Sequence, residues 1–337
     1  MLNLSGRENK NYKCIYLITE SINNSNEFFK KIYKALVSQL NTGAKFKQFF
    51  EGVFYRLDIR KISATEIEFG KSDINYFDEV LLLCKEIKQF PYKIVLLIDE
   101  FSQTIENIIT GVSKEAARNF LHQCRELRQT PDVKSKIHFV YTGSIGLESL
   151  VISINEPRSI TDLGDLNIPP LSEKEALKLI GNIIDNEDYE FSIEDQQYLF
   201  NKLKWLLPYF IHVLMSEIEN ICIEKQIKII TSEIIDQALK NALHHRSYFE
   251  HWVSRLRIVF KKDVFNCAKE VLNIAAKKDG IDFYELQDAI TKYNIEDPAV
   301  IIHALLHDGY LVKDETNKKY RFNSPLLQQW WLSNIVI

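Results

Sequence analysis

Two adjacent carboxylates, Asp99 and Glu100, close an apolar run in the stretch Lys93-Ile-Val-Leu-Leu-Ile-Asp-Glu-Phe-Ser102. Five consecutive apolar residues, Ile94 to Ile98, show no helical alternation and read as a strand buried on both faces, as in a parallel sheet. Open α/β sheets bind ligands beyond the carboxyl ends of their strands, where these two acids stand. One such carboxylate can hold Mg²⁺ through its water shell while its neighbour polarises an attacking water. The plain alternative is a buried strand ending in a solvated acidic turn. Further on, Lys136-Ile-His-Phe-Val-Tyr-Thr142 runs into Gly143-Ser144, where a hydroxyl can position water or bind an anionic oxygen, unless the pair is an ordinary turn. His303 and His307 have the i, i+4 spacing of zinc ligands, but Ala304 replaces the Glu such a motif needs, and packing or surface histidines are favoured. No Cys/His or Gly-x-Ser-x-Gly arrangement suggests covalent catalysis.

These side chains need a scaffold, and the hydrophobic spacing supplies one. A strand over Lys13–Thr19 precedes a helix from about Ser25, with apolar residues at helical spacing, that ends at Gly43. Residues 44–56 read as another amphipathic helix, and Ile59 to Phe69 as a short strand or extended crossing. A helix over 76–88 leads to Pro91 and the acid-tipped strand. A loop after Ser102 then joins a helix over 113–129, and the strand Lys136–Thr142 follows. Strand and helix alternating in this way predict a doubly wound α/β pattern with a parallel sheet.

The character changes near Asp165–Pro170. Ser172-Glu-Lys-Glu175 is a capping box opening a helix through Ile184, and helices follow at 192–206, 208–225, 232–243 and 246–260. Helices near 263–277, 282–291 and 297–307 precede the strands Tyr310–Lys313 and Lys319–Phe322, a winged helix-turn-helix pattern. The aromatic segment Asn323–Leu332 is expected to dock on a neighbouring domain. The expected organisation is a core over 1–165, a helical lid over 166–245 and a winged helix over 246–337.

At 337 residues, with 46% hydrophobic and 26% charged residues, the chain has the composition of an ordinary globular protein of two domains or three. A net charge of −4 gives no general pull toward nucleic acid or anionic lipid. The five cysteines are widely separated, which suggests reduced thiols rather than a disulfide or zinc framework. Residues 1–10 hold no apolar signal region and no run approaches a membrane span, so a cytoplasmic protein without membrane contact is expected.

In this order the parts resemble the STAND-class AAA+-like P-loop ATPases, in the archaeal-type branch with a C-terminal winged helix. Ile94–Glu100 resembles Walker B, and His138-Phe-Val-Tyr-Thr-Gly-Ser144 the sensor-1 strand and turn. Ile168-Pro-Pro-Leu-Ser-Glu-Lys-Glu-Ala176 resembles the lid's opening, Leu206-Leu-Pro208 a lid helix start, and Tyr320–Leu327 the segment after the wing. The resemblance implies ATP and Mg²⁺ as cofactors, Asp99 as Mg²⁺ ligand, Glu100 as catalytic base and Ser144 as γ-phosphate sensor. Leu206 stands where the family often has Gly, so no nucleotide contact is carried onto Pro208. Arg125 and Arg128, late in their helix, could reach a phosphate, although solvated helix-end cations are the favoured reading.

The family also places a Gly-rich phosphate loop before the strand that begins here at Lys13. The preceding residues hold a single glycine, Gly6, followed by Arg7 rather than Lys-Ser/Thr. Gly70-Lys71-Ser72 is a decoy, because Thr65 occupies the position of the first glycine and Glu66 and Glu68 would oppose phosphate. Three explanations stand: an N-terminally truncated product, which is favoured; a degenerate ATPase kept for interactions; or a loop supplied by a separate polypeptide. Either way the chain is expected to bind ATP weakly or not at all. The alternative function is a winged-helix DNA-binding or protein-interaction regulator without ATPase activity. Its helix over 297–307 carries no Lys or Arg, but Lys313, Lys318, Lys319 and Arg321 on the wing could touch phosphates. Over 240–337 there are 14 Lys and Arg against 12 Asp and Glu, so docking to a protein partner is favoured over DNA.

Overall fold

The computed structural model describes residues 11–40, 59–62, 67–69, 74–87, 91–143, 146–166, 168–184, 189–260, 262–295 and 298–336. The chain divides into two units, Met1–Gly164 and Asp165–Ile337.

In the first unit β1 (Tyr12–Ile18) leads into α1 (Ser25–Leu40), and β2 (Ile59–Ile62) pairs antiparallel with β3 (Ile67–Phe69). Then come α2 (Tyr76–Ile87), β4 (Lys93–Asp99), α3 (Phe101–Gly111), α4 (Lys114–Gln129), the single turn α5 (Pro131–Lys134), β5 (Ile137–Tyr141) and α6 (Leu147–Ser153). A 3-10 turn over Pro157–Ile160 closes the unit. The main sheet has the order β1-β4-β5 with both pairings parallel. The apolar run therefore forms the central strand, and Ile94, Leu96 and Ile98 are fully buried. Helix α1 turns Phe28, Phe29, Ile32, Tyr33, Leu36 and Val37 inward, a set at the i, i+4, i+8 spacing of one helix face. Phe28 meets Phe120 edge-on at 4.9 Å and Phe101 at 5.8 Å, which joins α1, α3 and α4 through one aromatic cluster.

The segment after Ser102 is a correction. A loop was expected, but α3 begins immediately after Glu100 and buries Phe101, Ser102, Thr104, Ile105 and Ile108. Phe101, Ile105 and Ile108 have helical spacing; the turn from strand to helix takes a single residue, too short a break to show in the sequence. The helix expected over 44–56 lies outside the described residues.

The second unit contains α7 (Glu173–Ile184), β6 (Glu190–Phe191), α8 (Ile193–Leu203), α9 (Pro208–Lys225), β7 (Ile229–Ile230), α10 (Ser232–His244) and α11 (Glu250–Val259). There follow α12 (Asp263–Lys277), β8 (Ile281–Asp282), α13 (Phe283–Thr291), α14 (Pro298–His307), β9 (Leu311–Asp314), β10 (Lys319–Phe322) and α15 (Pro325–Asn334). The helix expected over 246–260 is broken: residues 246–248 form a 3-10 turn, and Phe249 at the break is wholly buried. Its ring lies between Phe210 at 6.2 Å and Trp330 at 5.3 Å. Helices α12, α13 and α14 with the antiparallel sheet β8-β10-β9 make the winged-helix arrangement, and β8 is a strand the sequence pattern did not reveal. The aromatic terminal segment is a helix, capped by buried Ser324, that packs on α8, α10 and α12. Trp330 and Trp331 are fully enclosed, and the Trp331 indole N–H donates to Asn273 Oδ1 at 2.8 Å.

Candidate functional site

The three parallel strands end together, and their side chains converge on Asp99. Register sets Ile18 opposite Asp99 on one side and Ile98 opposite Tyr141 on the other, so Tyr16 and Thr142 flank the carboxylate. The Tyr16 phenol donates to Asp99 Oδ2 at 2.5 Å, and the Thr142 hydroxyl donates to Oδ1 at 2.5 Å. The Glu100 N–H donates to the same Oδ1 at 3.1 Å. Burial alone would raise the Asp99 carboxyl. The hydrogen bonds from Thr142, Tyr16 and the Glu100 amide outweigh it and hold the group below the ordinary carboxylate range. The Tyr16 phenol is pushed up in turn, first by its bond to Asp99 and then by burial. Among the described residues no cation forms an ion pair with Asp99, and the described donors to it are two hydroxyls and one amide.

Glu100 follows in the left-handed region, at φ 57° and ψ 36°, an uncommon backbone state for a residue with a Cβ. The twist swings the chain from strand to helix in one step. Phe101 N–H then reaches Thr142 O at 2.9 Å, while Thr142 N–H donates to Ile98 O at 2.9 Å. Behind this corner, buried Thr19 donates its hydroxyl to Asp99 O at 2.8 Å, and buried Thr104 donates to Thr19 O at 2.7 Å. Asn107 donates to Glu20 O at 2.7 Å and Ile22 O at 3.1 Å, which ties α3 to the loop after β1. Gly143 leaves room for this corner: a Cβ there would lie 2.7 Å from Ser102 Oγ.

The structure thus joins Asp99 and Glu100 at one strand end. Ser144 lies outside the described residues, as do Gly6, Arg7 and Gly70-Lys71-Ser72. Tyr16, Thr19, Thr104 and Thr142 belong to the corner, and no sequence spacing marks them as a group. Thr142 stood within the quoted sensor-like stretch. Tyr16 carried no signal, since its place depends on the β1–β4 register.

Arg128 corrects an expectation. It is no solvated helix-end cation but 9% exposed, with Nε and one terminal nitrogen donating to both Asp162 oxygens at 2.8 Å. The same terminal nitrogen donates to Ser159 O at 2.8 Å, and the guanidinium lies 5.6 Å from the Tyr141 ring centre. Asp162 is held below the carboxylate range, chiefly by that hydrogen bond. With both oxygens engaged, Arg128 is committed to the fold. The wing cations are also partly neutralised: Lys313 pairs with Glu315 at 2.7 Å, and Arg321 lies 3.1 Å from Asp314 and 3.5 Å from Asp279.

Does Asp99 fit Mg²⁺? A carboxylate offers about four acceptor sites, and the described residues take three, which leaves one direction on Oδ2 among them. That suits a hydrogen bond from a water of a hydrated cation, the way Mg²⁺ is often held, rather than a direct cage. No cluster of three or more His, Cys, Asp or Glu able to hold a metal occurs among the described residues. No helix among them is long and apolar enough to cross a membrane.

No family model matches the chain, and no curated protein matches it. Among solved structures it is similar to the ORC2 protein of Aeropyrum pernix in its ADPNP-ADP complexes, at 12% identity and TM-score 0.51, covering 99% of this chain and 81% of that one. Cdc6p from Pyrobaculum aerophilum is similar at 12% identity and TM-score 0.40, covering 95% and 79% of the two chains. The RuvB Holliday junction branch migration motor of Thermotoga maritima is similar at 14% identity and TM-score 0.35, covering 73% and 71%. The first likeness shows the fold, and the two weaker ones carry no argument. The fold shared with that structure is a parallel α/β core followed by a helical part and a winged-helix part.

Proposed function

We propose that the chain is a nucleotide-linked switch of the STAND/AAA+ type, with Asp99 as its metal-facing carboxylate and Glu100 as the base that polarises water. What supports this reading is Asp99 itself, a carboxylate without an ion-pair partner among the described residues, at the carboxyl end of the central strand and steadied by both flanking strands. Bound Mg²⁺ would supply charge neutralisation of phosphate oxygens. Asp99 would orient the cation's water shell through its open Oδ2 direction. Glu100, held next to it by a left-handed turn, would accept a proton from the attacking water. Ser144 keeps the role of γ-phosphate sensor in this reading. Residues 166–245 are read as the lid and 246–337 as the winged helix.

A sequence of the form G-x-x-x-x-G-K-[ST] does not occur in these 337 residues, so their affinity for Mg-ATP is expected to be weak. Calorimetric titration with Mg-ATP checks this. Binding no tighter than about millimolar, a range equivalent to roughly 4 kcal/mol, and lost in Asp99→Asn, is the expected result. Low-micromolar binding would overturn the weak-affinity reading, and binding indifferent to Asp99 would overturn the site. As for DNA, Lys313 and Arg321 spend their charge on neighbouring acids, which favours a protein partner over phosphate contacts by the wing.

A further inference from the structure

The three donors on Asp99 are not equivalent. Thr142 is bolted in place by its backbone, which donates to Ile98 O and accepts from Phe101 N–H. The Glu100 amide is part of the chain turn itself. Both serve Oδ1. Among the described residues Tyr16 alone serves Oδ2, the oxygen with the open direction, and does so from the tip of a half-buried side chain on β1. A phenol can leave by side-chain rotation while the strand stays paired.

We propose that Tyr16 is a gate on Asp99: its phenol and the water shell of a divalent cation compete for Oδ2, so the oxygen takes a second water of that shell, and holds the cation tightly, only when Tyr16 lets go. This rests on Asp99 being the metal-facing group proposed above. With Tyr16 in place Oδ2 keeps a single direction for a water of the cation's shell. With Tyr16 released, two acceptor directions open on one oxygen, enough for two waters of a hydrated cation. Tyr16 is a positioning residue in this scheme, and it acts through Asp99. The sign of its effect separates gating from simple structural support. Losing a structural prop weakens a site, whereas losing a competitor strengthens it.

The probe is Mn²⁺ alone, followed by electron paramagnetic resonance of the free ion against the full chain. Tyr16→Phe keeps the ring and removes the donor. It is expected to bind Mn²⁺ about five-fold more tightly than the unaltered protein, as loss of roughly 1 kcal/mol of competition implies, while Asp99→Asn binds none. Equal or weaker binding by Tyr16→Phe, with Asp99-dependent binding intact, overturns the gate and leaves the metal site standing. Absence of Asp99-dependent Mn²⁺ binding in both proteins overturns the site and the gate together. A second measurement needs no Tyr16 variant. Adding Mn²⁺ to the unaltered chain is expected to produce a tyrosine ultraviolet difference spectrum that Asp99→Asn lacks. A silent spectrum at saturating Mn²⁺ counts against the gate.

Discussion

Asp99 ties its strand end to both neighbouring strands through Tyr16 and Thr142, and this role can be measured without any ligand. Asp99→Asn keeps one acceptor oxygen but removes the charge that strengthens all three bonds, and is expected to cost about 1–2 kcal/mol in chemical denaturation. The acid limb of stability should show the same group. Asp99 and Asp162 both lie below their ordinary range, so on acidification the unfolded chain takes up protons first. Their contribution is complete above about pH 4, the unfolded carboxylate value, and is lost as pH falls through the folded values. A stability–pH profile that stays level below that point would contradict this, and the paired Asn variants should flatten the decline. Gly143 offers a third residue-level test. In Gly143→Ala the new methyl carbon meets Ser102 Oγ at 2.7 Å, and overpacking there is expected to cost about 1–3 kcal/mol. Adding Ser102→Ala should recover part of the loss, as thermal melts of the single and double variants would reveal.

The elements were legible in the sequence wherever one period dominated. Lys93–Asp99, the helices over 173–184 and 208–225, and the strand Lys319–Phe322 lie where the hydrophobic spacing put them. The spacing failed where backbone, not side chains, decides. Helix α3 begins after a single left-handed residue, and Phe249 interrupts what reads as one continuous helix. The convergence of Tyr16 and Thr142 on Asp99 could not be read either, since it depends on strand register. The pairing of Arg128 is hidden in the sequence for a related reason. Its partner Asp162 lies 34 residues onward, in a segment without a periodic signal. That pair anchors α4 to the segment following the 3-10 turn. Arg128→Met should leave Asp162 without its counter-charge and cost about 3 kcal/mol, the lower end for breaking a buried pair because Asp162 is partly solvated. A change below about 0.5 kcal/mol in urea denaturation would contradict this account.

Each unit of the molecule has its own core. One cluster runs from Ile15 to Ile154, and the other from Ala176 to Trp331 without a break between the expected lid and winged helix. Helix α15 contributes to this second core against α8, α10 and α12 at once. Calorimetry of the full chain is therefore expected to resolve two transitions, and residues 165–337 should melt as one. Separate melting of 166–245 and 246–337 would contradict that. Any DNA-retention experiment on the wing should accordingly use 165–337, because a fragment beginning near 240 would cut through this core and expose it. The aromatic packing also divides the molecule by colour. All four tryptophans, Trp205, Trp252, Trp330 and Trp331, belong to the second unit, whereas Asp99 and its tyrosine belong to the first. Indole emission is thus a reporter built into the second unit alone, whereas the Asp99 corner must be followed by its tyrosine.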